Sequence, residues 1–128
     1  MNRFTIVGLS MLAGAAFGGA AVQTIYAQGK PPAYVIAEVT VKDQERYLKE
    51  FAPARAKAIA DSGGKYLVRG GTATAVKGAP PAGRIVVVQF ENIDRVNAFM
   101  ESAAFKDSQV IGDKYGDIRI YAVEGIAP

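Results

Sequence analysis

The side chains best suited to chemistry lie on predicted strands. Glu38 stands in the middle of the β-branched and aromatic segment 33–41, and Arg119 and Tyr121 alternate along the last such segment, 117–124. Arg119 and Tyr121 share one face of their strand, so they can pair with Glu38 across a sheet. If Glu38 faces a cavity, it is a candidate general base. The alternative is a structural Glu–Arg pair that fixes the strand register.

A second candidate group ends the segment 65–69. Arg69 is followed by Gly70 and Gly71, and a guanidinium beside close backbone N–H groups suits a carboxylate. The functional hypothesis is therefore an anion clamp, and the alternative is an arginine that stabilises a bulge or a subunit contact. Arg84, which follows a Pro-Pro turn, is predicted to face solvent or a partner subunit. Candidate pocket walls, or alternatively ordinary core residues, are the aromatic side chains Tyr34, Tyr47, Tyr66 and Phe90.

Histidine and cysteine are both absent from the sequence. Without them the serine-type triad and most zinc and haem sites are excluded. The carboxylates are spaced as surface charge, so we predict no metal and no cofactor. The glycine pairs at 63–64 and 70–71 lack the following Lys-Ser/Thr of a phosphate-binding loop.

Composition narrows the possible partners. The chain of 128 residues suits one domain, and its 50% hydrophobic content can form a core. Its 15 basic and 12 acidic side chains give a net charge of +3, and the basic residues are scattered along the chain. No segment forms the basic patch that nucleic-acid binding requires, so nucleic acid is not a predicted partner.

The first 27 residues have the pattern of a cleavable signal peptide. Arg3 is followed by an uncharged, Gly- and Ala-rich stretch over 4–22, and Ala27 precedes the polar Gln28. Cleavage there predicts a periplasmic or secreted protein. The alternative is an uncleaved membrane anchor, because the stretch is just long enough to cross a bilayer. Residues 28–32, with two prolines, form a short linker, and 126–128 form a tail.

The remaining pattern predicts four strands and two helical regions. The strands are 33–41, 65–69, 84–90 and 117–124. A helix capped by Asp43 is expected to kink near Ala52, because Pro53 cannot continue it. Asn92 and Ser102 are predicted to cap later helical pieces, and 112–116 is predicted to be a loop. The order β-α-β-β-α-β is the ferredoxin-like pattern, an α+β sandwich with helices on one face of an antiparallel sheet of order 4-1-3-2.

Four stretches also resemble a known family. They are YVIAEV at 34–39, GGKYLVRGG at 63–71, RIVVVQF at 84–90 and SAAF at 102–105. Together they resemble the domain-of-unknown-function family 1330, a branch of the dimeric α+β barrel superfamily, over residues 33–125. The resemblance implies a ferredoxin-like subunit that forms a homodimer through its open sheet face. It implies no particular reaction, since the superfamily includes haem enzymes, cofactor-free monooxygenases, isomerases and non-enzymes.

Three functional hypotheses follow from these observations. The leading one is an exported homodimer that binds a small polar or aromatic ligand in a pocket between sheet and helices, with Glu38, Arg69, Arg119 and Tyr121 inside it. The second is a cofactor-free enzyme, monooxygenase- or isomerase-like, in which Glu38 is the base and Arg69 holds an oxyanion. The third is a structural dimer without a ligand. A membrane is a predicted partner only through an uncleaved signal segment.

Overall fold

The structure, a computed structural model, describes residues 29–128. The predicted signal segment 1–27 lies outside the described residues. Residues Pro31–Ile126 form one compact unit. Within the described part of the chain, the helices are too short or too polar for any of them to cross a membrane.

Four strands form one antiparallel sheet. They are β1 (Ala33–Val41), β2 (Lys65–Arg69), β3 (Arg84–Phe90) and β4 (Gly116–Glu124). The spatial order is β2-β3-β1-β4, which confirms the ferredoxin-like prediction. The two central strands are the β-branched segments AYVIAEVTV and RIVVVQF, as expected for strands that pair on both edges.

The first helix, α1, consists of three consecutive helical segments, Gln44–Arg46, Tyr47–Phe51 and Ala52–Asp61. It begins at Asp43, whose side chain accepts a hydrogen bond from Arg46 N at 3.1 Å. The middle segment is a π-helical turn, in which Ala52 N–H donates to Tyr47 O. Proline lacks an N–H and collides with the carbonyl four residues earlier, so the wider turn before Pro53 accommodates it. This irregular turn lies where the sequence predicts a kink or break, and Pro53 stands at the start of the following helical segment.

Two further helices precede β4. Helix α2 spans Ile93–Glu101 and helix α3 spans Ala103–Tyr115, and the side chains of Asn92 and Ser102 cap them as predicted. The predicted loop over 112–116 is wrong, because α3 continues to Tyr115. Gly112 lies inside the helix at a position that has no room for a side chain. A Cβ there would come within 2.6 Å of the Phe51 ring and 2.8 Å of Ile118.

The sheet has two unlike faces. Alternate residues of β1, such as Val35 and Val39, face the helices and are buried. They pack in two clusters with residues from β3 and the helices, among them Phe51, Ile59, Val88, Phe90, Val96 and Phe99. The opposite side, here called the open face, is covered by no helix of residues 29–128. It is formed by the alternate residues Tyr34, Ile36, Glu38, Val68, Ile85, Val87, Arg119, Tyr121 and Val123.

Candidate functional site

A cavity lies between α1 and the helix-facing side of the sheet. Its volume is about 50 Å³. Three arginines and two tyrosines give it its polar lining: Tyr47, Arg55, Tyr66, Arg69 and Arg84. We call it the arginine pocket. Its apolar lining is Val35, Val39, Phe51, Ala52, Ile59, Val86, Val88 and Phe99.

Arg84 projects into the pocket from the first position of β3. It pairs with Val39 in the β1–β3 register, and it shares a face with the buried Val88. Its Nε is a buried nitrogen without a hydrogen-bond partner among the described residues. An unpaired buried donor of this kind costs about 1–3 kcal/mol. A ligand that accepts a hydrogen bond from Arg84 would remove this cost.

Gly70 fixes one side of the Arg84 guanidinium. Its φ is +73°, and a Cβ at this position would lie 2.6 Å from Cζ of Arg84. Its N–H donates to the Ile85 carbonyl at 2.7 Å, so the backbone here is held in place. Gly71, by contrast, has open space where a Cβ would be. Of the two predicted glycines, only Gly70 therefore contacts the site.

Arg69 reaches the same pocket because β2 contains a bulge. Tyr66 pairs with Val88 and Arg69 pairs with Val86, with the register shift between Tyr66 and Val68. The extra residue, Leu67, places both side chains on the helix-facing side. The Arg69 guanidinium then lies over the Tyr66 ring, 4.4 Å from its centroid, in cation–π contact.

Arg55 enters the pocket from α1 and is only 8% exposed. Its Nε donates to Ser108 Oγ at 2.9 Å, and its Nη2 donates to Gln109 Oε1 at 2.7 Å. Its guanidinium also lies 4.8 Å from the Phe51 ring centroid and 4.4 Å from that of Phe105. Burial lowers the pKa of Arg55 to about 10. Arg55 therefore remains charged at neutral pH, held by neutral partners.

The two tyrosines supply neutral hydroxyl groups. Burial raises the pKa of Tyr47, and nearby Arg84 acts in the opposite direction. Burial likewise raises the pKa of Tyr66 against the influence of Arg69. Both phenols are therefore protonated at neutral pH and can donate hydrogen bonds.

The charge of the pocket is unbalanced. Its lining contains no acidic residue. Within residues 29–128, the ion pairs of the structure involve none of Arg55, Arg69 and Arg84. Arg55 is buried, Arg84 is half-buried and Arg69 is exposed. The hydrogen bonds of the buried Arg55 guanidinium go to neutral groups, and the Asp113 carboxylate acts on it only electrostatically. Because buried charges are normally paired or bound to a counter-ion, a cavity lined by these three arginines is suited to an anion.

The other predicted site residues lie elsewhere. Glu38 Oε2 accepts from Arg119 Nη1 at 3.0 Å on the open face, and Arg119 lies 5.3 Å from the Tyr121 ring centroid. The side chain of Glu38 is 17% exposed and that of Arg119 is 75% exposed. Tyr34 shares this face, since it pairs with Val123. The sheet therefore separates these residues from Arg69, and the predicted grouping of Glu38, Arg119 and Tyr121 with Arg69 in one pocket is not formed.

The sequence patterns could have identified two residues that were missed. Arg84 alternates with Val86, Val88 and Phe90, which indicates the buried face of β3 rather than solvent. Arg55 lies four residues from both Phe51 and Ile59, which indicates the buried stripe of α1. Of the predicted aromatic walls, Tyr47 and Tyr66 line the pocket, whereas Phe90 belongs to the core.

Metal binding finds no support in the described residues, where no group of three or more His, Cys, Asp or Glu side chains could hold an ion. The groove on the open face is lined by Glu38, Asp117, Arg119 and the turn 80–82. The charged groups in this groove form ion pairs: Glu38 pairs with Arg119, and Asp117 pairs with Lys42 at 3.0 Å.

Solved structures show what class of fold this is. The methylated RPA0582 protein of Rhodopseudomonas palustris matches with a TM-score of 0.61 at 11% identity, over 84% of this chain and 92% of that chain. A proposed antibiotic biosynthesis monooxygenase from Caulobacter crescentus matches with a TM-score of 0.55 at 19% identity, over 76% and 92%. The fold is that of the ferredoxin-like subunits of dimeric α+β barrels. At these identities the likeness concerns the fold alone.

The family follows from the sequence itself. The family model described as "Domain of unknown function (DUF1330)" matches residues 32–126. The chain belongs to this family, as the resemblance implied. No curated protein matches it.

Proposed function

We propose that this protein binds a small anion in the arginine pocket. The single observation that supports the proposal best is the buried, unpartnered Nε of Arg84. It lies in a cavity that Arg55 and Arg69 also line and that contains no carboxylate. A bound anion would pair with the arginines and accept the free hydrogen bond, and both effects favour binding.

A cofactor-free enzyme that uses Glu38 as base is the alternative with less support. Such an enzyme needs the base and the oxyanion-binding group within reach of one substrate. Glu38 lies on the open face and is bonded to Arg119, whereas Arg69 lies on the helix-facing side. Because the sheet stands between them, these two residues do not meet one molecule within a subunit. The Glu38–Arg119 pair agrees better with a role in strand register.

We further propose that the protein is exported and forms a homodimer through the open face. Export is supported by the signal-peptide pattern of residues 1–27. Dimerisation is supported by large apolar side chains on the open face, where Tyr121 is 43% and Val123 is 47% exposed. Val68, Val87, Ile36 and Tyr121 are successive partners across the four strands, so they form an apolar strip that a second copy would cover.

Mass spectrometry under native conditions tests all three parts, with the protein purified from a host that exports it. We expect a dimer of chains that begin near Gln28, and we expect each chain to bind one anion when benzoate, phosphate or sulfate is in excess. A chain that begins at Met1 would contradict cleavage, and a monomer would contradict the dimer. A bare dimer in excess benzoate, phosphate and sulfate would contradict ligand binding and favour a structural dimer.

A further inference from the structure

We propose that the anion is the carboxylate group of a small molecule with a flat or short carbon skeleton. This inference rests on the proposed function, since it names the class of ligand that the arginine pocket takes. The carboxylate would lie between Arg84 and Arg69, and the carbon atoms would lie against the rings and aliphatic walls. Three properties of the pocket fit this class of ligand: its donors, its walls and its volume.

The donors suit a carboxylate. Two nitrogens of Arg55 already bind Ser108 and Gln109, so this residue contributes mainly its charge. Gly70 N–H is also occupied, by the Ile85 carbonyl. The guanidinium groups of Arg84 and Arg69 remain, and a planar guanidinium matches the two oxygens of a carboxylate. An inorganic oxyanion finds the same donors, so the walls and the volume distinguish the two classes of ligand.

The walls favour carbon atoms. Val39 and Val86 lie on the sheet beside Arg84 and Arg69, and Phe51 and Ile59 face them from α1. The rings of Tyr47 and Phe51 lie 5.0 Å apart and are tilted by 39°, so each presents part of its apolar surface. Apolar walls with a few polar groups at one position are typical of sites for small organic ligands. A hydrated inorganic ion would gain nothing from these walls.

The volume limits the size of the ligand. A cavity of about 50 Å³ corresponds to roughly three to five water molecules at about 10–15 Å³ each. It therefore holds a carboxylate and the first one or two carbon atoms. The remaining atoms would extend towards the open mouth of the pocket. A benzoate ion fits this arrangement with its carboxylate innermost.

The experiment is calorimetric titration of the intact exported protein with four probes at one ionic strength. The probes are sodium benzoate, benzamide, sodium phosphate and sodium sulfate. Benzamide has nearly the shape of benzoate but no charge, so it is the matched control for anion recognition. Because benzamide cannot form charge-assisted hydrogen bonds, we expect benzoate to bind at least about tenfold more tightly than benzamide. We also expect benzoate to bind more tightly than phosphate or sulfate, which gain nothing from the apolar walls.

The other outcomes separate this inference from the proposed function. If phosphate or sulfate binds as tightly as benzoate, the carboxylate class is overturned while anion binding stands. If benzamide binds as tightly as benzoate, the pocket recognises shape without charge, and both proposals are overturned. If none of the four probes binds at millimolar concentration, anion binding itself is overturned.

Discussion

Replacing Arg84 with methionine should weaken benzoate binding by about tenfold to a hundredfold and leave the fold as stable as before. The loss of affinity follows from removing a charged donor, which contributes about 1.5–3 kcal/mol to binding. Stability should be unchanged or slightly higher, because methionine keeps the aliphatic stem and removes a buried nitrogen that has no partner. A residue that is required for binding but not for the stability of the fold is typical of a functional site.

Arg95→Met is the matched control. Arg95 is an exposed residue of α2, 3.8 Å from Glu91, and it does not line the arginine pocket. It should change neither benzoate affinity in calorimetry nor the urea midpoint of unfolding. If Arg84→Met binds benzoate as the unmodified protein does, the ligand does not contact Arg84. If it unfolds at a much lower urea concentration, Arg84 has a structural role instead.

Replacing Gly83 with alanine should lower the free energy of unfolding by about 3 kcal/mol, the largest effect on stability that we predict for one methyl group. Gly83 has a φ of +67°, and a Cβ there would collide with the carbonyl of Val39 and lie 3.0 Å from Thr40 Cα. The left-handed conformation costs about 1–2 kcal/mol for a residue with a Cβ. The collision adds about 1–3 kcal/mol, because β1 cannot move away without breaking its ladder with β3.

Gly78→Ala separates the two causes. Gly78 has a similar φ of +78°, but a Cβ there would have no neighbour within 4 Å. Only the conformational cost applies, so we expect a loss of about 1 kcal/mol. Urea unfolding of both variants measures the difference. Equal losses would show that the close approach of Gly83 to β1 is not maintained in solution.

The sequence was sufficient to predict the fold because the strong patterns are local. The central strands are short β-branched segments, and Pro53 and the side chains of Asp43, Asn92 and Ser102 mark the helices. The Glu38–Arg119 contact was also predicted correctly, since alternation along two regular strands determines which residues share a face. The error at Gly112 has a tertiary cause. The Phe51 ring leaves no room for a side chain at Gly112. The glycine therefore serves packing inside the helix and does not mark its end.

The candidate site was harder to predict because it depends on one irregularity. In a regular strand Tyr66 and Arg69 would lie on opposite faces, three positions apart. The bulge at Leu67 brings them to the same face, and no residue type in the KYLVR segment marks it. The position of Arg69 relative to Glu38 therefore could not be derived from alternation. The position of Arg84 could have been derived from alternation, because Arg84 continues the series of Val86 and Val88 at a period of two.

The most direct measurement is the location of a bound carboxylate by anomalous diffraction from crystals grown with 4-bromobenzoate. If the ligand binds in the arginine pocket, we expect one bromine peak per subunit between α1 and the helix-facing side of the sheet. In the accompanying density, the carboxylate should lie within hydrogen-bond distance of Arg84 Nε. A bromine peak on the open face beside Glu38 and Arg119, with the arginine pocket empty, would contradict the account.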